Sequence, residues 1–205
     1  MIKNIIFDIG NVMVTYRPEE FILKLGAEKR FALSLAKKIF GSAQWADGDK
    51  FNKPISEMKN ELNEIYPEHK ELISNILDNC TDMFETVNHP EHTLSQLKNH
   101  GFSLYYLSNI SEFVLNSLIN KHEAFKYFDG GIASYAYNTV KPDERIYHIL
   151  LEKYHLQADE CLFIDDLEKN IDTAKALGFN TIHLKKAEYL RDELKKINEL
   201  KTALV

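Results

Sequence analysis

Cysteine is scarce in this sequence: Cys80 and Cys161 are the only two in 205 residues, and they sit in no metal or redox spacing. That excludes a disulfide framework and a thiolate zinc site, and both read as buried thiols of a reducing compartment. A basic surface is missing as well. Lys and Arg number 25 against 31 Asp and Glu, for a net charge of -6, and no basic stripe offsets the acids. A nucleic-acid partner is therefore not expected. No apolar run approaches the roughly 20 residues that cross a bilayer, so no membrane partner is expected either. The sequence opens directly on a strand-like run that leaves no room for a signal peptide, and a cytoplasmic location follows as the expectation. Internal repeats and low-complexity linkers are also absent. What remains is 44% hydrophobic and 27% charged, the balance of a soluble globular protein. The length suits one domain carrying a sizeable insertion.

Ile5, Ile6 and Phe7 form an apolar run that fits a buried central parallel strand. The run stops at Asp8, and Gly10-Asn11 suits a sharp bend. An acid at the C-terminal end of such a strand lies where open α/β sheets bind ligands. Three later stretches have the same character: 104–109, Val140-Lys141-Pro142-Asp143, and 162–166. Their residue types converge well on a phosphate and a divalent cation.

From Pro18 to about Val87 no convincing strand appears. Helices are predicted over 18–25, 27–40, 54–66 and 68–79, with Pro18 in a first turn and Gly41 as a C-cap. No element is assigned between Gly41 and Pro54. Helices then alternate with strands: helix 90–100, strand 102–107, helix 111–121 with Ser111 as N-cap, strand 131–133, helix 142–154, strand 161–164, helix 168–177 and strand 181–184. A charged amphipathic helix through about Leu200 is expected to finish the chain. The pattern predicts a doubly wound, Rossmann-like α/β fold of about five parallel strands, with a helical cap inserted after strand one. The core would comprise residues 1–16 and 88–205, and the cap residues 17–87.

Phe7-Asp8-Ile9-Gly10-Asn11-Val12, Leu107-Ser108-Asn109, Lys141-Pro142-Asp143, and Ile164-Asp165-Asp166 with Asn170 resemble the four ordered motifs of the haloacid dehalogenase-like hydrolase superfamily. The resemblance spans essentially the whole chain. Within that superfamily, Asp8 to Val12 and the stretch Trp45…Gly48…Ile55-Ser56 are most similar to small sugar-phosphate phosphatases, notably those acting on glucose 1-phosphate. The resemblance implies Asp8 as nucleophile, forming an aspartyl-phosphate that splits hydrolysis into two easier steps. It implies a Mg²⁺ held by Asp8, Asp166 and the backbone carbonyl of Gly10. Two converging carboxylates would otherwise repel and raise each other's pKa. Asp165 is expected to support this cluster and Asn170 to orient a neighbour. Ser108 and the Asn109 backbone would hold the phosphate oxygens, and Lys141 would place a positive charge on the phosphoryl group. Each residue also has a plain structural alternative: a strand-end turn for Asp8 and Ser108, a solvated loop for Lys141 and the two acids, a helix first turn for Asn170.

Gly10 departs from the pattern. Most phosphatases of the superfamily carry a second Asp there as general acid and base, so proton delivery is left to water, a cap residue or the substrate. Specificity is expected in the cap and after Asp8, with Tyr16, Arg17, Trp45 and Asp47 as candidates. Trp45 also suits a core anchor and Arg17 a surface position. His89 and His92 read as surface histidines at a helix start rather than metal ligands. The expected partner is a small phosphorylated metabolite, with the protein a monomer or weak homodimer. Two rivals stand beside this reading. One is a 2-haloacid dehalogenase using the same Asp8, which Asp165-Asp166 disfavours; the other is a non-catalytic regulator that binds a phosphorylated ligand.

Overall fold

Ile5, Ile6 and Phe7 have no exposed area, because the strand they form, β1 (Asn4–Phe7), is covered on both faces. The computed structural model describes residues 1–204. After β1 come five helices: α1 (Pro18–Lys24), α2 (Lys29–Phe40), α3 (Ala43–Phe51), α4 (Ile55–Ile65) and α5 (Lys70–Asp78). The alternating part follows as α6 (Pro90–Asn99), β2 (Ser103–Ser108), α7 (Glu112–Lys121), β3 (Gly130–Ala133), α8 (Glu144–Tyr154), β4 (Cys161–Asp165), α9 (Glu168–Ala176), β5 (Asn180–His183) and α10 (Leu190–Lys195).

The five strands form one parallel sheet in the order β3-β2-β1-β4-β5. The chain moves outward from β1 through β2 to β3, then crosses to the other side for β4 and β5. Direction therefore reverses beside β1, the place where doubly wound sheets open a crevice at their C-terminal strand ends. Side chains alternate across the sheet with the period of two that strands impose. Ile5 and Phe7 join Leu104, Leu162 and Ile164 in one core. Ile6 joins Tyr105, Leu107 and Phe163 in the other, under Ile146 and Tyr147 of α8 and Ile171 of α9. The first core continues through α6, α7 and α10 and into the five helices after β1, where Ile22, Leu35, Leu62 and Ile73 belong to it.

The predicted strands and most helices are present, with three local differences. The stretch after Gly41 is helical: Ser42 caps α3 by accepting from the Trp45 N–H at 3.1 Å. Gly48 packs against the tip of Met58 on α4, where a Cβ would stand 2.8 Å from Met58 Cε. Ser111 has the extended backbone of an N-cap but makes no side-chain cap bond, and its hydroxyl is buried without a partner. The terminal helix stops at Lys195, and the chain turns back through 3-10 turns that bury Leu200 and Leu204. Arg191 fixes that return by donating to the Leu204 carbonyl at 3.0 Å. Burial of those two leucines outweighs continuing a charged, solvated helix. Gly101 and Gly178, in contrast, close α6 and α9 at φ 86° and 88°, where other residues are strained. Gly41 ends α2 with φ -100° and needs no such freedom.

Candidate active site

Register brings the motif residues together. Phe7 pairs with Tyr106 on one side and Ile164 on the other, so Asp8 emerges from the sheet beside the ends of β2 and β4. Its N–H donates to the Ile164 carbonyl at 2.9 Å, which carries β1 pairing one residue past Phe7. Asp8 Oδ1 accepts from the Ile9 N–H at 2.7 Å and lies 2.9 Å from Lys141 Nζ. The same Nζ donates to Asp165 Oδ2 at 2.7 Å. Lys141 is 2% exposed, so this cation is shared by two carboxylates out of water. Burial opposes its charge, yet Asp8 and Asp165 hold its pKa above the usual lysine value.

Asp165 is saturated with hydrogen bonds. Besides Lys141, it accepts from the Leu167 N–H at 2.8 Å and from the Asn170 amide at 2.9 and 3.0 Å. Asn170 thus holds both oxygens of Asp165 with one amide. Asp166 turns the other way and accepts from Asn11 Nδ2 at 3.0 Å. Asn11 itself adopts φ 55°, which Asn tolerates better than most residues, and its side-chain Oδ1 accepts from the Tyr16 N–H at 3.1 Å. Asn11 is a site residue that the motif reading treats only as part of a bend.

Single carboxylate oxygens of Asp8, Asp165 and Asp166 lie within 4.8 Å of one another. Burial, opposed by Lys141 and reinforced by Asp165 and Asp166, raises the Asp8 pKa to about 6. Burial also raises Asp166. Clustered oxygen donors with an excess of negative charge fit a hard divalent cation. Because the Asp165 oxygens are already engaged, Asp8 and Asp166 are the better placed donors.

A cavity of about 510 Å³ opens above these groups, and Asp8, Gly10, Ser108, Asn109, Lys141 and Asp166 all line it. Asn109 contributes more than a backbone amide: its side chain accepts from the Lys141 N–H at 2.7 Å and donates to the Lys141 carbonyl at 3.0 Å. At Gly10 an added Cβ would meet nothing nearer than Tyr16 Cβ at 3.9 Å. Space therefore does not dictate glycine there.

The far wall is aromatic, formed by Tyr16, Phe40, Trp45 and Phe84. Trp45 is 6% exposed and packs edge-on against Phe40 at 4.7 Å, so it anchors the core and lines the cavity at once. Two specificity candidates lie elsewhere. Arg17 lines an adjoining hollow and pairs with Glu20 and Glu188 at 3.5 Å. Asp47 does not line the cavity and pairs with Lys53 at 3.6 Å. The acid of this helix that does line the cavity is Asp49, one turn after Trp45. No motif marks it, although helical spacing from Trp45 puts it on the same side. His89 and His92 are exposed at the start of α6, as expected, and Cys80 and Cys161 are buried free thiols. Among the described residues no helix is long and apolar enough to cross a membrane.

The sequence and the fold both have known relatives. The sequence is 26% identical over 208 residues to a D-ribitol-5-phosphate phosphatase of Bacteroides thetaiotaomicron, covering 95% of this chain and 97% of that one. It is 25% identical over 182 residues to the sesquiterpene phosphatase astK of Aspergillus oryzae, covering 89% of each. In fold it matches a HAD family enzyme from Bacteroides thetaiotaomicron, solved with magnesium and inorganic phosphate, at TM-score 0.74 and 21% identity over 92% of this chain and 96% of that one. The family model of haloacid dehalogenase-like hydrolases matches residues 2–178, and the chain belongs to that family.

Proposed function

We propose that this protein is a Mg²⁺-dependent phosphomonoesterase that hydrolyses a small phosphorylated metabolite, such as a sugar phosphate, through an aspartyl-phosphate on Asp8. The observation that carries the reading is the buried Asp8–Lys141–Asp165 chain beside Asp166, beneath a cavity sized for a small organic phosphate. Two similar proteins are phosphatases of organic phosphates, and a structural neighbour holds magnesium and phosphate together. Asp8, Asp166 and the Gly10 carbonyl would hold the metal. When bound, Mg²⁺ neutralises charge on the phosphoryl oxygens and keeps Asp8 ionised. Asp8 attacks phosphorus; Lys141, fixed by Asp165 and Asn109, stabilises the charge that develops; Ser108 and the Asn109 N–H hold the phosphoryl oxygens. Asn170 and Asp165 keep Lys141 in place. The helices within residues 17–87 act as a cap whose aromatic wall stacks on the organic group.

A dehalogenase working on the same Asp8 would have to admit a carboxylate substrate beside Asp165 and Asp166, which repel it. The deciding experiment is a screen of phosphorylated metabolites, with Mg²⁺ and after chelation, alongside 2-haloacids. Phosphate release that disappears on chelation is expected. Halide release with no phosphate release overturns the proposal.

A further inference from the structure

Gly10 leaves the departing oxygen without the acid that usually stands two residues after the nucleophile, although the site has room for a side chain. The cavity supplies a carboxyl from elsewhere. Asp49 of α3 lines it, facing a chamber whose other ionisable groups are Asp8, Tyr16, Lys141, Asp166 and Lys169. Its position is fixed on both sides. The Ser134 hydroxyl donates to the Asp49 backbone carbonyl, and the Ser111 backbone N–H lies where it favours the charged form of the Asp49 carboxyl. Ser134 in turn accepts from the Ile110 N–H at 2.9 Å, so the tether leads straight to the end of β2. Unlike Asp8, which pairs with Lys141, Asp49 has no ion pair among the described residues.

We infer that Asp49 is the catalytic acid and base of this enzyme, delivered by the cap in place of the residue missing at Gly10. The inference rests on the phosphatase reading above. In the first half-reaction Asp8 forms a bond to phosphorus as the bond to the substrate oxygen breaks. Asp49 gives its proton to that oxygen, which leaves as an alcohol. In the second half, the Asp49 carboxylate takes a proton from water as that water attacks phosphorus. The Asp8–phosphorus bond breaks, phosphate departs, and Asp8 carboxylate and Asp49 acid are restored. Burial, partly offset by the Ser111 N–H, lifts the Asp49 pKa to about 7, which suits a group that must both give and take a proton near neutrality.

The test is a leaving-group series with Mg²⁺ present, comparing wild type with Asp49→Asn. The amide keeps an acceptor for the Ser111 N–H and the shape of the side chain. Wild type is expected to show a shallow dependence of kcat/KM on leaving-group acidity. In Asp49→Asn, alkyl and sugar phosphates should fall by about 10²- to 10⁴-fold, the usual worth of general acid catalysis. 4-Nitrophenyl phosphate, whose leaving oxygen needs no proton, should keep its phosphorylation rate in a burst measurement. The loss of alkyl phosphate turnover as pH rises through about 7 should be present in wild type and absent in the variant. An equal loss for every leaving group overturns the inference, because it marks a binding or structural role. A steep series in wild type overturns it too, and this arm stands even where Asp49→Asn does not fold. No phosphate release by wild type from any ester defeats the phosphatase reading itself.

Discussion

Asn109 and Lys141 clasp each other through two hydrogen bonds, of 2.7 and 3.0 Å, that join the end of β2 to the loop before α8. The clasp sets the backbone from which Lys141 reaches Asp8. Asn109→Ala removes both bonds, and at about 0.5–1.5 kcal/mol each a total loss of about 1–3 kcal/mol in unfolding free energy is expected. Turnover should fall by at least tenfold, because a small misplacement of a charged group weakens its hold on the transition state. Urea titration and phosphate release measure the two effects. Unchanged turnover would show that Lys141 holds its place without the clasp.

Asp8→Asn should abolish turnover while the protein still folds. The amide can accept from the Ile9 N–H and from Lys141, which retains Asp165 as a charged partner. It cannot attack phosphorus. Wild-type-like turnover by folded, undeamidated Asp8→Asn removes Asp8 from its role.

Asp166→Ala should weaken the response to Mg²⁺ and the activity together. It also frees the Asn11 amide, which holds the turn after β1 through the Tyr16 N–H. Asn11→Ala therefore serves as the control: it disturbs the turn while leaving both carboxylates in place. A Mg²⁺ titration identical to wild type in Asp166→Ala would place the cation elsewhere.

Lys141→Met leaves Asp8 and Asp165 buried without their shared cation. Breaking a buried pair by removing one partner costs about 3–5 kcal/mol, so Lys141→Met should be strongly destabilised and inactive. A loss below about 1 kcal/mol in denaturant unfolding would mean that the two acids simply take up protons.

The sheet and the residues at its strand ends were legible in the sequence because their cause is local. Ile5 to Phe7 is a continuous apolar run, and the acid that ends it has nowhere to go but the crevice. What could not be read depends on contacts between distant segments. Asp49 and Asp47 are both acids of α3, yet only the packing of α3 against the turn after β3, through Ser134, sets Asp49 on the cavity. Asn109 looks like a turn residue until the Lys141 loop lies beside it. Ser111 fits a cap by its residue type and its backbone, but its hydroxyl makes no cap bond and stays buried. Arg17 carries a charge suited to phosphate, but Glu188 from the far end of the chain claims it.

Asp49 also bears on stability in a way that separates its ionisation from its catalysis. Its folded pKa of about 7 stands above the ordinary carboxylate value of 3.8. The folded protein therefore binds more protons at this site than the unfolded chain does between those values. Stability contributed by the protonated carboxyl is complete below about pH 4, declines as pH rises, and is gone above about 7. Asn at this position neither loses nor gains a proton, so it removes that slope. The difference in unfolding free energy between Asp49→Asn and wild type should shift in favour of the variant by about 4 kcal/mol between pH 4 and pH 8. Urea unfolding of the metal-free proteins at the two pH values measures it, and subtracting wild type at each pH removes the contribution of every other acid. A difference that stays constant with pH would mean that Asp49 ionises in the folded protein as easily as in water. The carboxyl would then be wet, and too weakly held in its acid form at neutral pH to protonate an alcohol.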